Sequence, residues 1–107
     1  MGFLDWVQKK SSDKCRDNLT RGIPMFVEVC KRMDACEERK LSPSRADIKE
    51  AERLRDMLWV NAIGGPLPLD EVVKILNTWL NRPGEIGAYA YVALKRLYEA
   101  AQAEMQR

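Results

Sequence analysis

The helix boundaries of this chain are plainest between residues 57 and 80, where the sequence is MLWVNAIGGPLPLDEVVKILNTWL. The pair Gly64-Gly65 follows an apolar run and favours a helix C-terminus, and Pro66 prevents continuation of that helix. Pro68 then suits the first turn of a second apolar run, where its missing N–H has no helical partner to lose. The stretch therefore predicts one helix that ends near residue 63 and another that begins near Pro68.

Helical spacing of apolar residues continues through the rest of the chain, and no strand-like alternation persists beyond a few residues. Gly22 and Pro24 predict a break between a first helix and a second one that ends near residue 40. We therefore predict an all-α fold, in which residues 1–107 form a single domain, one compact bundle of four to five helices. The predicted helices cover approximately residues 3–20, 24–40, 43–63, 68–81 and 85–105.

Two of the predicted helices have clear apolar faces, and one of these helices has two possible starts. The helix from residue 43 begins either at Ser44, which with Asp47 resembles a capping box, or at Ser42, which precedes Pro43. Its apolar stripe consists of Ile48, Ala51, Leu54, Leu58 and Ala62. In the helix before it, the residues that fall within about 140° of the wheel are Met25, Phe26, Val29, Cys30, Met33 and Cys36.

The composition limits the chemistry that is available. The 107 residues include no histidine, which removes the commonest general base and a frequent metal ligand. Cys15, Cys30 and Cys36 are not spaced as a CxxC pair and have no fourth ligand for zinc. We therefore expect that the protein is not an enzyme and that it binds no metal and no cofactor. Free thiols are typical of a reducing compartment, which predicts a cytoplasmic protein, and the longest uncharged stretch, residues 57–69, is too short to span a membrane.

The charge pattern gives little support to nucleic-acid binding. The 18 basic and 16 acidic residues nearly balance, and no concentrated basic stripe occurs. Residues 68–81, the turn Arg82-Pro83-Gly84 and the helix from Glu85 have the element lengths of a helix-turn-helix. The first turns of that helix offer an acid, small residues and apolar residues, with no Arg, Lys, Asn or Gln to contact a base edge. We favour a plain helical hairpin and keep a DNA-associated regulator as the alternative.

One candidate surface for a protein partner lies near residue 59. Trp59, Val60 and Ile63 fall outside the main apolar stripe of their helix. They belong either to a central helix wrapped by the bundle or to an exposed anchor patch for a partner. Arg55 falls inside the stripe, so it either extends its charge to solvent or pairs with an acid.

A second candidate surface lies on the last predicted helix. Tyr91, Lys95 and Tyr98 follow one another at helical spacing along the edge of its apolar stripe. Tyrosine is enriched at contact surfaces, but the two rings also suit the rim of a core with their hydroxyls in water. A third candidate, which we expect to fold back onto the bundle, consists of Phe3, Leu4, Trp6 and Val7.

The sequence thus predicts a small, regulatory, non-enzymatic helical protein that acts by protein–protein interaction. Its partner would be another protein or protein complex, with the chain as an inhibitor, antagonist or adaptor of a larger macromolecular machine. Small inhibitors encoded by phages and plasmids provide an analogy in size and chemistry only. The alternatives are a helix-turn-helix-like DNA-associated regulator that uses residues 68–98 and a self-associating structural bundle, so the chain is a monomer or a homodimer.

Overall fold

The computed structural model of the chain describes the backbone of residues 2–107 and the side chains of residue 2 and of residues 9–107. It confirms the predicted all-α class: the described residues form a compact four-helix bundle that contains no strand. The helices are α1, Phe3–Glu38; α2, Arg45–Ile63; α3, Leu69–Leu80; and α4, Pro83–Met105.

The predicted break at Gly22 and Pro24 is wrong, because α1 is a single helix of 36 residues that includes Pro24. Pro24 is exposed, so its ring lies on the solvent side of α1. A proline inside a helix costs roughly 3 kcal/mol of folding free energy. The residues around it, Ile23 and Phe26, are fully buried, and each such side chain contributes about 1.5–3 kcal/mol by burial. Tertiary packing on both sides of the proline therefore outweighs the local signal to stop.

Gly22 serves the packing of α1 against α2. A Cβ at this position would lie 2.5 Å from Cε of Met57 and 3.1 Å from Cδ2 of Leu58. The glycine therefore lets the two helices approach closely and does not mark a helix end.

The central position of α1 explains which of its residues are buried. α1 packs against both α2 and α4, and α3 packs mainly against α4. Val27, outside the predicted face, is buried as a result, whereas Met25, inside it, is exposed. Ile48 of α2 is likewise exposed, since it lies in the first turn of the helix, before the first buried residue, Ala51.

The sequence signals at the two ends of α2 agree with the structure. Ser44 is the N-cap of α2, and its Oγ accepts a hydrogen bond from the backbone N–H of Asp47 at 3.1 Å, so the Ser44 alternative is confirmed. Gly64 is the C-cap of the same helix. α4 begins at Pro83, so Pro83 and Gly84 belong to the helix and not to the predicted turn, because proline suits the first helical position. Gly87 interrupts the helical geometry of α4 with φ 81° and ψ 170°.

Candidate partner-binding groove

Three helices border an open groove on one side of the bundle. α2 and α4 form its walls, and the last turns of α1 border one end. Its volume is about 620 Å³, within the range of sites that hold a ligand or the side chains of a partner. The lining residues, which define what we call the groove, are Asp34, Glu37, Arg55, Asp56, Trp59, Ala88, Tyr89, Val92, Ala93 and Arg96.

The groove contains an apolar surface that is open to solvent. Trp59 is 43% exposed, Tyr89 42% and Val92 49%. Tyr89 and Val92 share a face of α4 because they are three residues apart, and this face flanks the buried stripe that contains Ala90 and Leu94. Three large side chains on two helices therefore meet over one concave surface.

The two ends of the groove differ in the side chains that line them. Asp34, Glu37 and Ala88 also line a neighbouring hollow of about 430 Å³, so they mark one end of the groove. Arg55 and Trp59 also line a narrow gap beside Phe26 and Leu97, so they mark the other end. The first end therefore carries two carboxylates, whereas at the second end Arg55 lies beside Asp56, which also lines the groove.

The arginines of the groove differ in how they are paired. Nε of Arg55 lies 3.6 Å from Oδ1 of Asp56, its neighbour in sequence, and both side chains are more than half exposed. Arg55 thus reaches solvent and pairs with an acid, so each of its two predicted alternatives applies in part. Arg96 forms no ion pair with any residue that the structure describes, and its charge is available to a ligand.

Asp34 and Gly87 meet where the acidic end of the groove adjoins the bend in α4. Oδ2 of Asp34 is buried and accepts no hydrogen bond from the described part of the chain. A Cβ on residue 87 would lie 2.5 Å from that oxygen, and the φ of 81° at Gly87 is one that side chains other than glycine's rarely adopt. Gly87 is therefore required both by its backbone conformation and by the space that Asp34 occupies.

The residues predicted around position 59 do not all lie on one surface in the structure. Arg55 and Trp59 line the groove, so α2 is not wrapped by the bundle at this point. Val60 is 66% exposed but does not line the groove, and Ile63 is half-buried against the core. Of the four residues predicted around position 59, two therefore line the groove.

The predicted surface on α4 lies outside the groove. Tyr91 and Tyr98 are half-buried and pack against the core. Nζ of Lys95 lies 5.2 Å from the centre of the Tyr98 ring, and Gln102 donates a hydrogen bond to the Tyr98 hydroxyl at 3.0 Å. Both tyrosines therefore have a structural explanation at the rim of the core.

Other residues of the groove were missed from the sequence. Tyr89, Val92 and Arg96 lie at positions i, i+3 and i+7, outside the buried stripe of α4, and this spacing was a usable signal. Asp34 carried no such signal, because its relation to Gly87 depends on the packing of α1 against α4. The side chains of the third candidate surface, Phe3, Leu4, Trp6 and Val7, lie outside the described residues.

The reactivity of the described thiols and carboxylates follows from their surroundings. Burial, with a smaller contribution from Asp34, raises the pKa of the Cys30 thiol to about 12, so this thiol is not an activated nucleophile. In the described ranges, no three carboxylate or thiol side chains gather into a metal-binding group. None of the helices described is long and apolar enough to cross a membrane.

Comparison with protein-family models, with curated proteins and with solved structures gives no match to this chain.

Proposed function

We propose that this protein is a non-enzymatic module that binds another protein in the groove between α2 and α4, as an inhibitor, antagonist or adaptor of a larger assembly. The observation that carries this proposal is the convergence of Trp59, Tyr89 and Val92, each more than 40% exposed, on one concave surface. Large side chains left open to water in this way are typical of an interaction site.

The residue types at the groove support the same proposal. Tryptophan, tyrosine and arginine are the side chains that most often carry the binding energy of protein interfaces. The groove combines Trp59 and Tyr89 with Arg55 and Arg96 on facing helices. These four residues combine apolar and charged surface, and protein interfaces contain both.

The surroundings of α4 favour a protein partner over DNA. Ala88 and Tyr89, in the first turns of the proposed recognition helix, line the groove beside Asp34 and Glu37. These carboxylates would repel the phosphates of a duplex, and a protein partner meets no such repulsion. The DNA-associated regulator remains an alternative that steep salt-dependent binding of duplex DNA would support.

A comparison of two double variants tests the proposal. Purified protein is immobilised and exposed to a lysate of the organism that encodes it, and retained proteins are identified, purified and titrated calorimetrically. The variant Trp59→Ala/Tyr89→Ala alters the groove, whereas Tyr91→Ala/Tyr98→Ala alters the rim of the core outside it. We expect the first variant to weaken binding at least tenfold and the second to leave it within about twofold.

Circular dichroism and thermal unfolding establish that both variants remain folded. Equal binding by wild-type protein and a folded Trp59→Ala/Tyr89→Ala variant would reject the groove as the docking surface. Turnover of a substrate by the purified protein would reject the non-enzymatic assignment as a whole.

A further inference from the structure

The first turns of α1, residues 3–14, extend past α2 and α3, and we call them the α1 extension. α2 ends beside Cys15, whose Sγ donates a hydrogen bond to the carbonyl oxygen of Asn61 at 3.0 Å. α3 begins beside Arg16, which pairs with Glu71 in its first turn. Before Cys15, none of the side chains that the structure describes is buried. The 36 residues of α1 span about 54 Å, close to the longest dimension of the molecule, 57 Å, so the α1 extension projects from the core.

The buried side of α1 becomes polar in the sequence of the α1 extension. Residues that are 18 positions apart lie at about the same angle around a helix, because one turn takes about 3.6 residues. Ile23 and Phe26 are fully buried, and the residues one such repeat earlier are Asp5 and Gln8. The stripe that joins α1 to the core therefore has no apolar continuation at these two positions.

The apolar residues of the α1 extension align instead with the solvent side of α1. The residues one repeat before the exposed Arg21, Pro24 and Met25 are Phe3, Trp6 and Val7. In a continuous helix such as α1, this pattern predicts an apolar side that the four-helix core does not use.

Basic residues accompany this apolar side. The α1 extension contains Lys9, Lys10 and Lys14 against two acids, Asp5 and Asp13. Tryptophan and phenylalanine on one side of a helix, with lysines beside them, are typical of helices that lie in the interface of a bilayer. We propose that the α1 extension binds the surface of an anionic lipid bilayer, a function separate from that of the groove.

The charge of the chain supports an anionic surface. The formal net charge is +2, and the excess lies in residues 1–22, because the rest of the chain contains equal numbers of basic and acidic residues. Two basic residues of this part, Arg16 and Arg21, pair with acids of the chain itself, so the lysines are the basic residues that remain for lipid phosphates. Each lysine near such a surface strengthens binding, and salt weakens this contribution.

The length of the apolar side favours a bilayer over a second copy of the chain. The apolar side covers only about two turns, whereas a coiled coil needs an apolar seam of about three heptads or more. Reversible binding to a bilayer needs only a few apolar side chains beside positive charge.

Flotation with lipid vesicles tests the proposal on the full chain. Vesicles of equal parts phosphatidylcholine and phosphatidylglycerol are compared with vesicles of phosphatidylcholine alone. We expect the protein to float with the anionic vesicles at low salt. Its partition onto neutral vesicles, or onto anionic vesicles at high salt, should be at least about tenfold weaker.

Two double variants distinguish the α1 extension from the groove. Phe3→Ala/Trp6→Ala removes two aromatic residues from the α1 extension and should weaken partition onto anionic vesicles at least about tenfold. Trp59→Ala/Tyr89→Ala removes two aromatic residues from the groove and is the matched control. Its partition should stay within about twofold of wild type, because the groove takes no part in the lipid contact.

A third double variant tests the charge contact. Lys9→Gln/Lys14→Gln should weaken partition about tenfold at low salt and have little effect at high salt. Circular dichroism and thermal unfolding establish that the variants remain folded. If Phe3→Ala/Trp6→Ala does not fold, Val7→Gln replaces it.

Several outcomes would overturn the proposal. They are the absence of wild-type binding to anionic vesicles, equal binding to neutral vesicles, and undiminished binding by folded Phe3→Ala/Trp6→Ala. A dimer in light scattering that this variant abolishes, without vesicle binding, would assign the α1 extension to a second copy. Loss of vesicle binding in Trp59→Ala/Tyr89→Ala alone would move the lipid contact to the groove. The protein partner of the groove is measured without lipid, so the two proposals can fail independently.

Discussion

Arg16 of α1 holds Glu71 of α3 with two guanidinium nitrogens, and the Nη2–Oε1 distance is 3.0 Å. The contact joins the first helix to the third, which otherwise meet little, because α3 packs mainly against α4. The hydrogen bonds from Arg16 lower the pKa of the Glu71 carboxyl below its ordinary value.

Because of this ion pair, we expect the effect of Glu71→Gln on thermal stability to depend on pH. A carboxyl whose pKa is lowered in the folded state stabilises the protein above its unfolded-state pKa of about 4.3, and this contribution is lost as the pH falls through the folded-state value. Thermal unfolding should therefore show a lower midpoint for Glu71→Gln at pH 7, and the difference from wild type should shrink as the pH falls from about 5. Asp70→Asn, next to it in the first turn of α3, is the control and should show less of this dependence. An equal loss at pH 7 and at low pH would contradict the assignment.

Substitution of Gly87 should be among the most damaging single changes. Gly87→Ala imposes a strained backbone and places a Cβ against Asp34, so we expect a loss of about 2–4 kcal/mol in the free energy of unfolding, measured by urea denaturation. Gly84→Ala is the matched control, because a Cβ there meets nothing within 4 Å. Its effect should be within about 1 kcal/mol, and a loss as large as that of Gly87→Ala would contradict the prediction.

The C-terminus of α1 offers a stabilising change. Lys40 has a left-handed φ of 57°, and the bonds Leu41 N–H to Cys36 carbonyl (2.8 Å) and Lys40 N–H to Glu37 carbonyl (2.9 Å) form a Schellman arrangement. Lys40→Gly should raise the free energy of unfolding by about 0.5–1 kcal/mol, because glycine adopts this conformation without a steric penalty. Lys40→Ala keeps the penalty and should leave the stability nearly unchanged. Equal stabilisation by both substitutions would show that backbone strain is not the cause.

The N-cap of α2 can be tested with two neighbouring serines. Ser44→Ala removes the hydrogen bond to the N–H of Asp47 and should cost about 1 kcal/mol of unfolding free energy. Ser42→Ala, an exposed position before Pro43, should change it by less than about 0.5 kcal/mol. Both values follow from urea denaturation, and a larger effect at Ser42 would assign the helix start to the other serine.

The three cysteines should differ in their rate of alkylation. Cys15 and Cys30 are buried, whereas Cys36 is half-buried. Iodoacetamide at pH 8 should modify Cys36 at least about tenfold faster than Cys30, whose thiol stays protonated at that pH. Cys36→Ala should remove the fast phase, and mass spectrometry after denaturation should show the other two thiols intact. A fast phase that persists in Cys36→Ala would contradict the burial of Cys15 and Cys30.

Local signals in the sequence account for most of the helix boundaries. Ser44 and Gly64 act within one helical turn, so their effects are visible in a single stretch of residues. Gly22 and Pro24 mislead for the opposite reason: the packing of α2 and α4 on α1 keeps the helix intact, and no local pattern contains that information. The number of helices therefore depends on tertiary contacts as well as on local sequence signals.

The candidate site likewise contains residues that the sequence indicates and residues that only the packing of the helices brings together. Trp59 is visible as an apolar residue outside its stripe, and the structure places it in the groove. The tyrosines at 91 and 98 lie at the edge of the apolar stripe on a helical wheel, which suits a contact surface or the rim of the core, and both pack against the core. The acidic end depends on the contact between Asp34 and Gly87, two residues far apart in the sequence, and this contact exists only once α1 and α4 are packed.

The order of the helices has a consequence for how the chain folds. α1 with α2 and α3 with α4 are each neighbours along the chain, so the contacts within each pair close short loops at little entropic cost. Contacts between α1 and α4 join the two ends of the sequence and have the greatest separation. We therefore expect two helical hairpins to form early and to dock late, with the meeting of the terminal helices as the slow event.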